Sequence, residues 1–280
     1  MISKTAVVLD SACYLPEEVV RRFGATVVPL TVVLDGVEYL ENVDLDAPTF
    51  YARLRAGAKP STSQPSPGRF LEAYEAAAAA SAERIVSIHI GASFSGTLNS
   101  ARVAAELAPI PVHLIDTGQA SFVEGLAAWE AMEALASGAS IEAAEAVAKR
   151  AAADAGNVFI VRGAELLRAG GRMREAGGGG AVPILAAAEG QVRPIGQAGT
   201  VEEALAAITA RVRAAFEANP GKRWRIGISN GDADALAAEL ERAVRELAPE
   251  AEVMQYVIGP AVGAHTGPGC TGAVFLARPA

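Results

Sequence analysis

An alternation constrains this chain more than any other feature. Over residues 1–155, short β-branched and apolar runs take turns with helix-length stretches, and the runs tend to end on polar residues. Ala6-Val7-Val8-Leu9 stops at Asp10, Arg84 to Ile90 enters Gly91-Ala92-Ser93, and Val112 to Ile115 stops at Asp116. Thr26 to Leu34 reads as one more strand, turned by Asp35-Gly36 into Val37–Leu40. Helices open at Leu15-Pro16-Glu17-Glu18, Asp46-Ala47-Pro48 and Ser66-Pro67, where a proline or capping residue suits the first turn. Another runs from Thr97 through Leu107, and two amphipathic ones are expected near Val123–Ala136 and Ile141–Ala153. Lys59 to Pro65 reads as a polar loop. Continuous apolar runs joined by helices mark strands buried on both faces, hence a parallel α/β sheet.

The second half has a different rhythm. Strands are expected at Val158–Val161, Val182–Ala186, Val192–Ile195, Arg225–Ser229, Glu252–Val257 and Ala273–Ala277, and helices near Val201–Ala218 and Ala233–Leu247. Glu189-Gly190 joins two of the strands as a hairpin, which implies antiparallel pairing. The fold class is therefore α/β: an N-terminal parallel α/β domain over 1–155 and a C-terminal α+β domain over 156–280 with a partly antiparallel sheet. Residues 57–82 are a segment free to pack on the second domain. The glycine run 177–180 reads as a mobile loop.

Composition narrows the function classes. The net charge of −8 disfavours nucleic acid, whose phosphates need a basic surface. Hydrophobic residues at 51% exclude a disordered chain. The Ala-rich stretch from Ala76 to Ala82 is the nearest thing to a spanning segment, and Glu72, Glu75, Glu83 and Arg84 flank it; a span needs roughly 20 apolar residues. The two cysteines, Cys13 and Cys270, have no metal-ligand spacing. They fit free, non-catalytic thiols in a reducing cytoplasm.

The chemistry-bearing positions fall at the carboxyl ends of strands, where open α/β sheets bind ligands. They are Asp10-Ser11, the run Ser93-Phe94-Ser95-Gly96-Thr97, and Asp116-Thr117. Thr62-Ser63-Gln64 adds a fourth hydroxyl cluster. For Ser11, Ser93 and Thr117, capping or turn chemistry is the stronger reading; beside Ser95, Gly96 would let a ligand approach the backbone. Of three histidines, His89 and His113 lie in strands and read as structural or exposed. His265 sits among glycines and prolines from Gly259 to Gly269, a stretch read as irregular backbone, and is the best-placed titratable group. Ser95, Asp116 and His265 follow the chain order of a hydrolase triad, but the glycines of a nucleophile elbow are missing around Ser95 and Ser93.

These residues, taken in order, resemble the DegV family. The matching motifs are Asp10-Ser11 with Leu15-Pro16, Thr62-Ser63-Gln64-Pro65, Ser95-Gly96-Thr97 with Ser100-Ala101, Leu167-Arg168-Ala169-Gly170-Gly171-Arg172, and Gly263-Ala264-His265-Thr266-Gly267-Pro268-Gly269. The resemblance covers essentially the whole chain. It implies a bacterial, cytoplasmic, non-enzymatic lipid-binding protein that holds a long-chain fatty acid between two domains. It also implies the role of acyl-carrying subunit of a fatty acid kinase, whose separate catalytic chain makes the acyl-phosphate for phospholipid synthesis. No cofactor and no metal are expected; a transient membrane contact is compatible with the role. Carried over, the carboxylate binders are Thr62, Ser95 and His265, with Ser63, Ser93, Thr97 and Thr266 as secondary candidates. Arg172 is the expected partner contact, placed on a flexible edge. Phe94, Phe122, Phe159 and Ile184 are candidates for the acyl tunnel. Burial at about 0.8 kcal/mol per CH₂ makes roughly 14 methylenes worth on the order of 11 kcal/mol before ordering costs. Such a ligand suits a carrier that hands it over inside a complex. The alternative is a Ser-His hydrolase acting on acyl esters.

Overall fold

The structure is a computed structural model of the 280-residue chain, and it describes residues 4–162, 164–173, 181–188 and 190–279. Its internal contacts separate two units. The first comprises Met1–Asp44 and Thr62–Ala153, the second Leu45–Ser61 and Asp154–Ala280. Of the segment 57–82, expected to be free to pack on the second domain, residues 57–61 belong to the second unit and the rest to the first. The glycine run 177–180 lies outside the described residues.

The first unit is built on four parallel strands. β1 (Thr5–Asp10) is flanked by β2 (Thr26–Val28) and β6 (Arg84–His89), and β7 (Val112–Asp116) lies beyond β6. From β1 the chain moves to one side through α1 (Glu17–Phe23) into β2, and it later returns on the other side as β6 and β7. The order therefore reverses between β1 and β6, and their carboxyl ends form the crevice such sheets use for ligands. One face is covered by α3 (Pro67–Ala79) and α4 (Thr97–Ala105), whose Phe70, Tyr74, Ala101 and Ala104 pack with Val8, Val28 and Ile85. Fully burying Phe70 contributes about 1.5–3 kcal/mol. The other helices of the unit are α5 (Phe122–Ala136) and α6 (Ile141–Asp154).

Three sequence expectations for this unit need correcting. The single strand 26–34 is two: β2 belongs to the parallel sheet, while β3 (Thr31–Leu34) pairs antiparallel with β4 (Val37–Leu40). Pro29 separates them, lacking the N–H that a ladder needs. The polar loop 59–65 contains a short strand, β5 (Pro60–Ser63), beside β3. And α5 is not amphipathic. Ten of its residues are buried, from Phe122 through Met132 with only Glu130 missing from the run, which is the pattern of a helix enclosed on all sides.

The second unit carries a six-stranded mixed sheet. Its strands are β8 (Gly156–Ile160), β9 (Val182–Ala188), β10 (Gln191–Ala198), β11 (Arg223–Gly231), β12 (Glu252–Val257) and β13 (Cys270–Arg278), in the order β10-β9-β8-β13-β11-β12. Only β11 and β12 are parallel; β9 and β10 form the expected antiparallel hairpin. The helices α8 (Val201–Ala218) and α9 (Asp234–Leu247) bury Leu205, Ile208, Val212, Leu240 and Val244 against Ile226, Ile228 and Ile184. Phe216 stacks on Trp224 at 4.2 Å between ring centroids. Three more helices belong here: α2 (Ala47–Arg55), capped by Asp46, α7 (Glu165–Ala169) and α10 (Pro260–Thr266). The stretch 259–269 is thus not irregular throughout, because Pro260 starts a helical turn and Gly267, at φ +70°, ends it.

Candidate functional site

The carboxyl ends of β1 and β6 are tied together by one side chain. Asp10 accepts from the Ala12 N–H (3.0 Å), from the Ile90 N–H (3.0 Å) and from His89 Nδ1 (3.1 Å). With Nδ1–H donated to Asp10, His89 Nε2 accepts from Ser87 (2.7 Å), and Ser87 in turn accepts from Tyr74 (2.9 Å). Burial pushes the Tyr74 phenol up to about 12, the Ser87 bond opposing it. Ser87, His89 and Asp10 have the connectivity of a hydrolytic triad, but all three are fully buried, and the Phe70 ring lies edge-on to His89 at 5.0 Å. No substrate reaches that serine; the relay fixes the sheet edge.

The hydroxyls around this crevice divide by what they already hold. Ser11 donates to Glu41 and accepts from the Leu30 N–H (2.9 Å), and Tyr14 donates to Glu41 at 3.1 Å. Thr117 donates to the His89 carbonyl (2.8 Å). Asp116 accepts from the Gly118 and Ala92 N–H groups, at 2.9 and 3.3 Å. These are turn-fixing roles, and they occupy the aspartate that a Ser95 triad would need.

Ser95 is different. It is partly buried, it shares a hydrogen bond with Thr97 Oγ1 (2.8 Å), and it stands one residue before Gly96, the N-cap of α4. Gly96 supplies no side-chain cap; Ser95 Oγ accepts the Thr97 N–H at 3.3 Å instead, and the Asn99 and Ser100 N–H groups donate to the Gly96 carbonyl, so the helix start presents two hydroxyls. The loop holding Thr62 and Ser63 reaches the same place. A methyl group on Gly96 would lie 1.8 Å from Gln64 Oε1, so the Gln64 side chain rests directly on the α4 start. Two of the sequence-predicted clusters, 62–64 and 93–97, therefore meet within the first unit. Ser93 is exposed, Phe94 and Phe122 are buried, and Thr97 is buried. A cleft of ≈ 500 Å³ lined by Tyr39, Ser63, Gln64, Arg69 and Ser100 opens beside this loop.

In the second unit, His265 sits in the last turn of α10, with its ring against Gly170. Burial, with a smaller push from the Arg172 guanidinium, lowers its pKa to about 4, so the imidazole is neutral at physiological pH. Thr266 is buried and donates to the Val262 carbonyl at 3.3 Å. Arg172 is not on a loose edge as expected. Its N–H donates to Leu167 O (2.8 Å), its carbonyl accepts from Val192 (2.7 Å), and Nη1 donates to Gly170 O (2.9 Å). Phe159 is partly buried, and Ile184 belongs to the core of this unit. Both cysteines are free and buried; burial raises Cys13 well above its ordinary value and Cys270 to about 12. Among the described residues, no group of His, Cys, Asp and Glu is arranged to hold a metal ion, and no helix is long and apolar enough to cross a membrane.

Sequence reasoning passed over Glu41 and Glu124, both buried at this crevice, while His89, read as structural or exposed, is buried and structural. Glu124 left no signal that sets it apart, since Glu130 stands in the same apolar run from Phe122 to Met132 and is only partly buried.

Comparison with known proteins agrees with this architecture. The family model described as "Uncharacterised protein, DegV family" matches residues 4–278. A DegV domain-containing protein of Streptomyces coelicolor is 34% identical over 284 residues, covering 99% of this chain and 100% of the relative. A fatty-acid-binding DegV family protein from Thermus thermophilus superposes with a TM-score of 0.87 at 32% identity, over 98% of this chain and 99% of that one. DegV of Bacillus subtilis, a fatty acid binding protein, superposes at 0.88 with 25% identity, over 98% and 99%.

Proposed function

The chain belongs to the DegV family, and from that premise we propose that it binds one long-chain fatty acid and presents its carboxylate to a partner kinase for acyl-phosphate formation. The observation that supports this most is the α4 start. It offers the Ser95 and Thr97 hydroxyls, it is uncharged, and the Thr62–Gln64 loop rests on it. In our reading Thr62, Ser95 and His265 bind the carboxylate, with Ser63, Ser93, Thr97 and Thr266 around them. Hydroxyls and a neutral imidazole satisfy a buried carboxylate without a permanent counter-charge, so the acid is held but not neutralised. The acyl chain runs along Phe94, Phe122, Phe159 and Ile184. Arg172, held in place by its backbone, contacts the kinase chain.

The protein itself performs no chemistry in this reading. It works in the cytoplasm, touches membranes only in passing, and feeds phospholipid synthesis. Ester hydrolysis is disfavoured because the Ser87–His89–Asp10 relay is sealed and Asp116 is engaged by backbone donors. Solvent extraction and mass spectrometry of the purified protein are expected to find about one long-chain fatty acid per chain, and no turnover of p-nitrophenyl esters. An empty protein that also ignores added oleate and palmitate refutes the proposal. Arg172→Ala is expected to keep its lipid while supporting acyl-phosphate formation poorly; unchanged transfer would remove Arg172 from the docking role.

A further inference from the structure

The first unit buries a carboxyl group for which the reading above has no use. Glu124 is fully buried near the start of α5, and neither of its oxygens meets a hydrogen-bond donor among the described residues. Its environment is acidic: Asp10 at the end of β1, Glu41 after β4, and the Cys13 thiol in the 3-10 turn Ser11–Cys13. Asp10 also faces His89 from β6, and Glu41 faces Tyr14. The charged side chains of α1, which also packs on α5, are Glu17, Glu18, Arg21 and Arg22, and all are exposed. The contact is tight, since a methyl group on Gly125 would lie 2.2 Å from the Cys13 carbonyl. An unpaired carboxylate in such a place is untenable, whereas a carboxylic acid can donate to a neighbouring carboxylate.

A second observation is independent of burial. Ser121-Phe122-Val123-Glu124 has the pattern of a capping box, in which the glutamate would fold back onto the serine N–H. Ser121 instead stands at φ +60°, ψ −151°, a region non-glycine residues rarely adopt, and its side chain makes no capping bond. The local sequence would keep Glu124 at its own helix end; the fold turns it inward toward Asp10.

We propose that Glu124 is a positioning residue: as a carboxylic acid it donates its O–H to Asp10 and so steadies the clamp that holds the 90–97 loop and its Ser95. Burial and the Asp10 charge both raise its pKa, which keeps the proton in place at neutral pH. Asp10 then receives four donors rather than three. When Glu124 ionises, two like charges face each other, and the Ala12 and Ile90 N–H bonds to Asp10 are the ones put at risk. The loop bearing Ser95 is expected to loosen as pH rises through that ionisation.

Two readouts test this, and only the second rests on the fatty-acid reading. Infrared spectroscopy in D₂O at neutral pH is expected to show a buried protonated-carboxyl stretch that disappears in Glu124→Gln. ¹³C-carboxyl labelling of glutamate in the wild type is expected to shift the same band, which assigns it to a glutamate even if the variant does not fold. A wild type without such a band, or a band that the label does not move, overturns the proposal whether or not the protein binds lipid. The second readout is fatty-acid affinity from neutral to alkaline pH. Wild type is expected to weaken as pH rises, Glu124→Gln to keep near-wild-type neutral affinity without the alkaline decline, and Glu124→Leu to lose about five- to 150-fold at neutral pH. An alkaline decline unchanged in Glu124→Gln, or a Gln variant as weak as the Leu variant, overturns it.

Discussion

Replacing Gly170 by alanine is expected to damage ligand binding while sparing the fold, and the structure sets the size of the effect. An alanine Cβ would lie 2.2 Å from His265 Nδ1 and 2.9 Å from Cε1, while the nearest backbone atom, Leu166 O, is at 3.2 Å. Comfortable heavy-atom contacts begin at roughly 3.5 Å, so the ring must retreat by about 1.3 Å. The imidazole is a side chain and can rotate, so the backbone has little to absorb. On the proposed role of His265, what is lost is its alignment with the ligand carboxylate. A hydrogen bond to a charged group is worth about 1.5–3 kcal/mol, or roughly ten- to 150-fold in affinity. Displacement of a fluorescent fatty acid measures that loss, and thermal melting checks the fold. The decisive comparison is a double-mutant cycle. If Gly170→Ala acts only through His265, adding it to His265→Ala costs nothing further. Wild-type affinity in Gly170→Ala, or a full additive loss on the His265→Ala background, would refute the reasoning.

Other outcomes follow from the same geometry. Gly125→Ala gains about 0.8–1.0 kcal/mol of helix propensity but forces a methyl to 2.2 Å from the Cys13 carbonyl, an overpacking of about 1–3 kcal/mol, so urea unfolding should show net destabilisation and a stabilised variant would contradict the packing. His265, ordinarily 6.5, is held near 4, so the unfolded chain takes up this proton at higher pH than the folded one. Its contribution to stability is therefore present above pH 6.5 and lost as pH falls toward 4, and an NMR titration placing the folded imidazole near 6.5 would rule this out. The Cys13→Ser, Cys270→Ser double variant is expected to retain fatty acid, and wild-type thiols to resist alkylation at neutral pH; lipid loss on alkylating wild type but not the double variant would give them a role.

The sequence was most readable where burial is simplest. The runs 6–9, 84–90 and 112–115 announce themselves because strands covered on both faces need apolar residues throughout. The break at Pro29 was less legible, since a run of strand-forming residues does not say which sheet each part will join. α10 was hidden by its composition. Its glycine at 263 lies where a methyl would come within 2.7 Å of the Tyr51 hydroxyl, so small residues there serve close packing rather than irregularity. At the site, the loop hydroxyls were visible because strand ends predict them. The Asp10–His89–Ser87 relay and Glu124 were not, because their meaning comes from neighbours far away in sequence, and a buried acid looks like any other acid in a string of letters.

The excursion Leu45–Ser61 makes the order of synthesis matter. Phe50 and Tyr51 are 0% and 2% exposed in the finished protein, and Tyr51 donates to the Ile258 carbonyl. Their partners emerge from the ribosome some two hundred residues later. β13, which separates β8 from β11 in the sheet, is later still than every other strand of that unit. At roughly 5–20 residues per second, the aromatic pair waits about 10–40 s in the open. The first unit cannot shelter it by folding early, because the segment belongs to the other unit. A nascent chain of this design therefore keeps an apolar pair exposed at one identifiable place until synthesis is nearly complete, and slow translation prolongs that exposure.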